Sequence, residues 1–168
     1  MLPEMKHILY ATDLSENSRQ ALRYAASLAK SNKAELTMVH VLPDWVEIMS
    51  ENAGIDIETH FDLETWENIN TSAMAAAQEK ARKRVEEMAA ECRLEDPDCP
   101  VARATIKVLQ GDAAACILEE LKTASYDLVV MGAHGQGPFI DMLLGSVANK
   151  IVRMSPVPVF TVRLPKEA

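Results

Sequence analysis

Three glycines and a serine are spaced along one segment in a way that could bind an anion: Gly132, Gly135, Gly145 and Ser146. Glycine lets the backbone come close to a ligand and adopt a positive φ angle. The pair Gly145-Ser146 stands where a helix is predicted to begin, and the first N–H groups of a helix point outward with the positive end of its dipole. The pattern therefore favours a bound anion such as phosphate.

The same segment excludes two common phosphate sites. Its spacing matches neither GxxxxGK[ST] nor GxGxxG, so neither P-loop hydrolysis nor standard dinucleotide binding follows. From Gly132 to Asn149 there is no lysine or arginine. Backbone N–H groups could still hold a triphosphate, since a hydrogen bond to a charged group contributes about 1.5 to 3 kcal/mol. A tight turn followed by a helix cap would use some of the same glycines, and the residues by themselves leave both interpretations open.

Other polar residues are candidates for the same site. Asp13 could contact a ligand or cap the helix that begins near Ser15, and both roles are compatible. His134 could donate to a phosphate or face solvent, whereas His40, in a buried strand, is interpreted as a core residue. No Ser-His-Asp set, Cys-His set or clustered His/Cys metal site is apparent, so no catalytic residue is assigned. Asp13 and Asp141 could bind a metal ion and position a water molecule.

Strands and helices alternate along the chain and must position these residues. The predicted strands span 7–12, 36–42, 101–109, 128–131 and 157–162, and the predicted helices span 16–31, about 71–92, a stretch opening after Gly111-Asp112, and 146–154. In the last two helices the residues expected to point inward are Ile117, Leu118 and Leu121, and Val147, Ile151 and Met154. This alternation predicts an α/β fold, a parallel sheet with helices on both faces. Ligands of such sheets bind beyond the carboxyl ends of the strands, where Asp13, Val41 and Gly132 fall.

Composition narrows the class of protein further. The 168 residues fit one domain over 1–168, and 25 acidic against 17 basic residues give a net charge of −8, which argues against nucleic-acid binding. No apolar run reaches the roughly 18 to 20 residues of a membrane helix, and the start lacks a signal peptide. A cytoplasmic location without membrane insertion is therefore predicted. Cys92, Cys99 and Cys116 form no CxxC pair, and they are predicted to be reduced and without a role. Cys99 lies in a turn-like segment, 96–100, and could be exposed enough to oxidise, but the interpretation we favour is a free, inert cysteine.

An acidic insertion is predicted at about 44–70. It has acidic residues at 44, 47, 51, 56, 58, 62, 64 and 67, no lysine or arginine, and both tryptophans, Trp45 and Trp66. Its length exceeds that of a plain connection between a strand and a helix. It could be a lid near the pocket or a surface for a partner protein, but the interpretation we favour is a solvated extension with its tryptophans against the core.

The spacing G-x2-G-x9-G-S from Gly132 to Ser146 resembles the nucleotide-binding signature of the ATP-binding branch of the universal stress protein family. Further segments resemble the family in the same order: 7–13 followed by Ser15, 36–41, 110–112, 127–135 and 155–159. Together they span most of the chain. One departure is Ala11, which stands where many relatives carry proline and where backbone contacts to adenine would survive the change.

The resemblance implies a five-stranded parallel α/β domain, a Rossmann-like three-layer sandwich that binds ATP and acts as a regulator under stress. It also implies a homodimer paired through the last strand, 157–162, and nucleotide occupancy sensed by an unidentified regulatory partner protein. The implied adenosine contacts are Ala11, Thr12, Asp13 and Val41, and the implied ribose and phosphate contacts are Met131, Gly132, His134, Gly135, Gly145, Ser146 and Val147. A divalent ion such as Mg²⁺ would accompany the phosphates. The alternatives are a slow ATPase that resets itself and a nucleotide-free dimeric scaffold.

Overall fold

A computed structural model of the chain describes residues 2–44, 63–135 and 144–163. In these ranges the strands are β1 (His7–Thr12), β2 (Glu35–Leu42), β3 (Thr105–Gln110), β4 (Leu128–Gly132) and β5 (Val159–Val162). The helices are α1 (Glu16–Asn32), α2 (Leu63–Glu95), α3 (Ala113–Thr123) and α4 (Ser146–Met154), with a 3-10 helix at Pro100–Arg103. The five strands form one sheet in the order β3-β2-β1-β4-β5, and every pairing is parallel.

The sheet is buried on both faces, which explains why its inner strands are apolar at nearly every position. Alternate residues of β1 face opposite layers: Ile8 and Tyr10 pack in a core with α1 and α2, whereas Leu9 and Ala11 pack in a second core with α3 and α4. All four of these side chains are buried. The predicted α/β architecture, a parallel five-stranded sheet with helices on both faces, is confirmed.

Strand order reverses at the centre of the sheet. The chain runs outward from β1 to β2 and β3, and then returns to place β4 on the other side of β1. The loops that leave β1 and β4 therefore turn to opposite faces and leave a crevice between them, the usual ligand position in such sheets. Thr12 ends β1 and Gly132 ends β4, so both predicted segments reach this crevice.

Three predicted boundaries are wrong, and proline explains two of them. The third strand was expected from 101, but Pro100 opens a 3-10 helix and β3 begins at Thr105. The last strand was expected from 157 and begins at Val159, because Pro158 has no N–H to donate to the ladder. The long helix begins at Leu63 instead of about 71, so the insertion predicted at 44–70 extends no further than residue 62. The role proposed for it falls on residues 45–62, which lie outside the described residues.

Packing confirms the predicted inner faces of the helices with one exception. Ile117, Leu118 and Leu121 of α3 are buried as predicted, and so is Ile151 of α4. Met154 was expected to point inward but is 59% exposed; it is the last residue of α4 and lines the large cavity instead of the core. None of the helices in the described part of the chain combines the length and the apolar character that crossing a membrane requires.

The Asp127 carboxylate ties β4 to the start of β1. It accepts hydrogen bonds from the backbone N–H groups of Lys6, at 2.7 Å, and His7, at 2.9 Å. These N–H groups, that of His7 first, hold the pKa of Asp127 below its ordinary value, because they favour the ionised form. A depressed pKa in the folded state contributes stability above the unfolded pKa, and this contribution is lost as pH falls through the folded pKa.

Replacing Asp127 with alanine should therefore destabilise the protein in a pH-dependent way. We expect a loss of about 1 kcal/mol at pH 7, a modest figure because the carboxylate is open to water. The difference from the wild type should shrink below about pH 4, as the carboxyl becomes protonated. Urea unfolding of the wild type and the Asp127→Ala variant, from pH 7 to below about pH 4, measures the difference in their free energies of unfolding. A difference that stays constant with pH would contradict this role for the charge.

Candidate functional site

The turn after β1 is held rigidly by side chains of its own sequence. The Leu14 N–H donates to the Thr12 hydroxyl oxygen at 3.0 Å, and the Ser15 N–H donates to the Asp13 carboxylate at 3.0 Å. Leu14 has a φ of 64°, an uncommon angle for a residue with a side chain. Ser15 caps α1 by accepting from the Ser18 N–H. Ser15 is therefore the N-cap of α1, whereas the Asp13 carboxylate stabilises the turn before this helix.

The glycine loop after β4 is fixed by three hydrogen bonds to three different elements. The Ala133 N–H donates to the Val162 carbonyl at 2.7 Å, and the Ala133 carbonyl accepts from the Gly145 N–H at 2.8 Å. The side-chain amide of Asn17, on α1, donates to the His134 carbonyl at 2.9 Å. These contacts bring the two ends of the predicted motif together, although residues 136–143 between them, including Asp141, lie outside the described residues.

Helix α4 begins differently from α1 and α3. Ser15 and Asp112 place a side-chain oxygen on the first turns of α1 and α3, whereas Gly145 precedes α4 with φ −65° and ψ 162° and supplies no such oxygen. The backbone N–H groups in the first turn of a helix have no partner within it. At α4 they therefore remain available to an anion, together with the hydroxyl of Ser146.

Two glycines stand where a side chain would not fit. A Cβ on Gly135 would lie 2.6 Å from the Asp13 carboxylate, and a Cβ on Gly132 would lie 2.9 Å from the Asn17 amide nitrogen. Gly145 is different, since a Cβ there would meet nothing closer than the Ala133 carbonyl oxygen at 3.5 Å. The close packing of the first two glycines keeps the loop near α1, whereas a Cβ on Gly145 would lie in ordinary van der Waals contact with the glycine loop.

These segments line one cavity of 1410 Å³ at the carboxyl ends of β1, β2 and β4. All of the site residues predicted from the sequence lie in its wall: Ala11, Thr12, Asp13, Val41, Met131, Gly132, His134, Gly135, Gly145, Ser146 and Val147. The cavity exceeds the roughly 300 to 1,000 Å³ typical of small-molecule sites, so a ligand of nucleotide size fits it. Its floor combines the apolar β-strand ends with the polar turn and loop.

The cavity wall also contains cations that sequence analysis missed. Arg84 reaches it from α2, and Lys150 and Arg153 reach it from α4, whereas Asp13 is the carboxylate among the lining residues. The part of the cavity wall that the structure describes therefore carries more cationic than anionic side chains, in a chain whose net charge is −8. Lys150 follows Ser146 by four residues and so lies on the same helix face, a signal the sequence contained. Nothing in the sequence indicated Arg84.

His40 belongs to β2 and also lies in the wall of the cavity. Its Nδ1 is 2.8 Å from the Thr12 carbonyl oxygen, and because a carbonyl only accepts, Nδ1 carries the hydrogen. This hydrogen bond leaves Nε2 as the second polar atom of the ring. His40 is half-buried, so the expectation of a core residue was too simple, because its position at the end of β2 also exposes it to the cavity.

The described residues contain no cluster of three or more His, Cys, Asp or Glu side chains able to hold a metal ion. The arrangement as a whole offers backbone N–H groups, three cations and an apolar floor. This chemistry suits binding of an anionic, partly apolar molecule.

A parallel sheet with a loop-lined cavity at the reversal of strand order defines the class of α/β domains that bind ligands at this switch point. The chain belongs to the universal stress protein family, because the family model matches residues 4–163. Universal stress protein MJ0531 of Methanocaldococcus jannaschii is 30% identical over 96% of this chain and 84% of its own length. Universal stress protein A homolog 1 of Coxiella burnetii is 31% identical, over 94% of this chain and 95% of its own.

Solved structures share the fold across nearly the whole chain. The protein MJ0577 of M. jannaschii superposes with a TM-score of 0.71 at 23% identity, covering 98% of this chain and 100% of its own. A universal stress protein solved in complex with cAMP gives a TM-score of 0.58 at 18% identity, over 97% and 100% of the two chains. One from Archaeoglobus fulgidus, solved in complex with dAMP, gives 0.55 at 16% identity, over 95% and 99%.

Proposed function

We propose that this protein binds ATP in the cavity between β1 and β4 and that a partner protein responds to its occupancy under stress. The observation that carries the proposal is the cavity itself, which joins the glycine loop, the uncapped start of α4 and three cations at the switch point of the sheet. Two structural neighbours were solved with adenine nucleotides, and we extend nucleotide binding to this chain because its own cavity has suitable chemistry.

One end of the cavity suits the base and ribose of a nucleotide, and the other end suits its phosphates. In the proposal the base and ribose lie against the strand ends, near Ala11, Thr12, Asp13 and Val41. The phosphates lie against Gly132, Gly135, Gly145 and Ser146, where backbone N–H groups replace the lysine that a P-loop would use. Met131, His134 and Val147 complete the wall between these two groups. Arg84, Lys150 and Arg153 add long-range attraction for the phosphate charge.

In this proposal a divalent ion would be held mainly by the phosphate oxygens of the bound nucleotide. Mg²⁺ keeps several waters and is commonly held by one or two carboxylates together with phosphate oxygens. Asp13 is the carboxylate of the described cavity wall, and its Oδ2 faces Gly135 at the edge of the glycine loop. Among the residues that the structure describes, Asp13 is therefore the one that would contact the hydrated ion.

We also propose a homodimer formed through β5. This strand is at the edge of the sheet, so its outer N–H and C=O groups are available to another strand. Beside it, the rings of Tyr24 and Phe160 stack with centroids 5.9 Å apart, and they are 51% and 38% exposed. An aromatic pair next to an open strand edge is suited to a second copy of the chain. Light scattering of the wild type and of a Phe160→Glu variant tests this pairing.

Nucleotide release and rebinding test the proposal directly. The purified protein should release adenine nucleotide on denaturation, detected by mass spectrometry, and the emptied protein should bind ATP in a calorimetric titration. Parallel titrations with AMP, cAMP and GTP identify which part of the nucleotide is recognised. Absence of any binding at millimolar ATP would overturn the proposal and favour the nucleotide-free scaffold. Phosphate release measured with and without Mg²⁺ would reveal the slow ATPase.

A further inference from the structure

Two of the three cysteines come together although sequence spacing suggested no pairing. Cys92 lies in the last turn of α2, and Cys99 follows a tight turn that folds the chain back toward that helix. The Cys99 N–H donates to the Asp96 carbonyl at 2.9 Å, and the Asp96 N–H donates to the Cys92 carbonyl at 3.3 Å. As a result the two Sγ atoms are only 3.1 Å apart, and both cysteines are free thiols.

The turn that makes this approach is anchored independently of the sulfurs. The Lys30 ammonium, on α1, pairs with the Asp96 carboxylate at 2.5 Å, and the Asp98 N–H donates to the same carboxylate at 3.1 Å. The structure therefore holds Cys99 beside Cys92 before any bond joins them. Since a disulfide has an S–S distance of about 2.05 Å, only about 1 Å of relative movement separates the thiols from a bond.

A small reagent can reach the pair. A cavity of 80 Å³ lies between α1 and α2, and Cys92 is in its wall. Its other charged lining residues include Arg19 and Arg23 of α1 and Glu91 and Glu95 of α2. A water molecule occupies about 30 Å³ in the liquid, so a molecule slightly larger than water fits this space. Cys99 is only 3% exposed and does not line this cavity, so the reagent would first meet Cys92.

We propose that Cys92 and Cys99 are a site of reversible oxidation that hydrogen peroxide converts to a disulfide. The thiolate of one cysteine attacks a peroxide oxygen and breaks the O–O bond, which leaves a sulfenic acid and hydroxide, and the hydroxide takes up a proton to become water. The second sulfur then attacks the sulfenic sulfur, and the S–S bond forms as the hydroxyl leaves with the second thiol proton as water. Two electrons pass from the thiols to the peroxide, and an added thiol reverses the reaction.

The surroundings of Cys92 determine how fast this reaction runs. Burial, together with the hydrogen bond and charge of Cys99, raises the pKa of Cys92 to about 12. Glu95 raises this pKa further, whereas Arg23 on α1 lowers it. The reactive form is the thiolate, so oxidation should accelerate as pH rises through the neutral range. Because little thiolate is present at neutral pH, we expect the oxidation to be slow there.

Tryptic digestion offers a direct test, because cleavage after Arg93 separates the two cysteines. After peroxide treatment of the full-length protein, the peptides 85–93 and 94–103 should appear as one cross-linked species, which dithiothreitol separates. Cys116 is the internal control, since its thiol donates to the Gln110 carbonyl at 3.3 Å instead of contacting another sulfur. A Cys116→Ser variant should give the same cross-link. Failure to form it, or a mixture in which Cys116 is linked as often, would overturn the proposal.

Thermal unfolding gives a second readout that does not depend on peptide recovery. The disulfide closes a short ring at the end of α2, and the oxidised wild type should unfold at a Tm about 5 °C above that of the reduced protein. Cys92→Ser keeps the half-buried position polar and should remove this peroxide-dependent shift. If Cys92→Ser retains the shift, another modification causes it and the assignment is wrong. Nucleotide binding is not required for either readout.

Discussion

Valine in place of Gly145 should lower the affinity for ATP by about 100-fold, equivalent to the loss of one or two charge-assisted hydrogen bonds. A Cβ at this position fits the empty protein, where its nearest neighbours would be the Ala133 carbonyl oxygen at 3.5 Å and the His134 Cα at 3.6 Å. The added methyl groups would occupy the space between the glycine loop and the start of α4, which the proposal assigns to phosphate. Calorimetric titration with ATP measures the loss.

Gly145→Ala is the matched control for this variant. Both substitutions replace the same favourable residue before α4, a change that costs about 1 kcal/mol of stability, and both fit its φ of −65°. Alanine adds one carbon atom and valine adds three, so affinity should fall in graded fashion while the unfolding midpoints remain similar. Unchanged affinity in the valine variant would contradict the assignment of the phosphates to this position.

Alanine at Ile151 should remove about 3 kcal/mol of the free energy of unfolding. Ile151 has no exposed surface and packs against Leu9 and Val39 in the core between the sheet, α3 and α4. It anchors the helix whose first turn forms the proposed phosphate site. The loss should therefore also weaken ATP binding, because α4 would no longer be held firmly against the sheet. Urea unfolding and ATP titration of the same preparation measure the two effects.

Two neighbouring variants separate packing from helix propensity. Ile151→Val removes one methyl group and should cost about 1 kcal/mol. Val152 is the next residue along the same helix and is 46% exposed, so Val152→Ala should change stability by less than about 0.5 kcal/mol. Equal losses for Ile151→Ala and Val152→Ala would show that burial of Ile151 does not anchor α4.

The architecture was predictable from local pattern. Strands with apolar residues at nearly every position, such as Leu128–Gly132, alternate with helices that carry one apolar stripe, and this combination permits few arrangements other than a parallel sheet covered on both faces. The spacing from Gly132 to Ser146 indicated an anion-binding segment for a similarly local reason. Backbone freedom and an uncapped helix start are properties of residues close together in the chain.

The residues at which strands and helices begin were less predictable, because neighbouring residues there can favour different structures. Pro100 and Pro158 delay β3 and β5, since a residue without an N–H cannot complete the ladder of hydrogen bonds. The strand expected from 157 includes Pro158, and the strand expected from 101 starts directly after Pro100, so both strands were predicted too long. Helix α2 begins eight residues before its expected start. Residues 63–70 share the acidic composition, without lysine or arginine, of the segment before them, so composition did not mark this boundary.

Tertiary structure alone decided which distant residues meet. Arg84 lies about 50 residues before the glycine loop, yet the packing of α2 against the sheet brings it to the same cavity as Lys150 and Arg153. Cys92 and Cys99 meet because a turn anchored by Lys30 of α1 reverses the chain between them. The sequence by itself determined the α/β fold and the anion-binding segment, since both follow from local periodicity and backbone chemistry. The charge of the cavity and the thiol pair required the fold, because they depend on contacts between elements far apart in the chain.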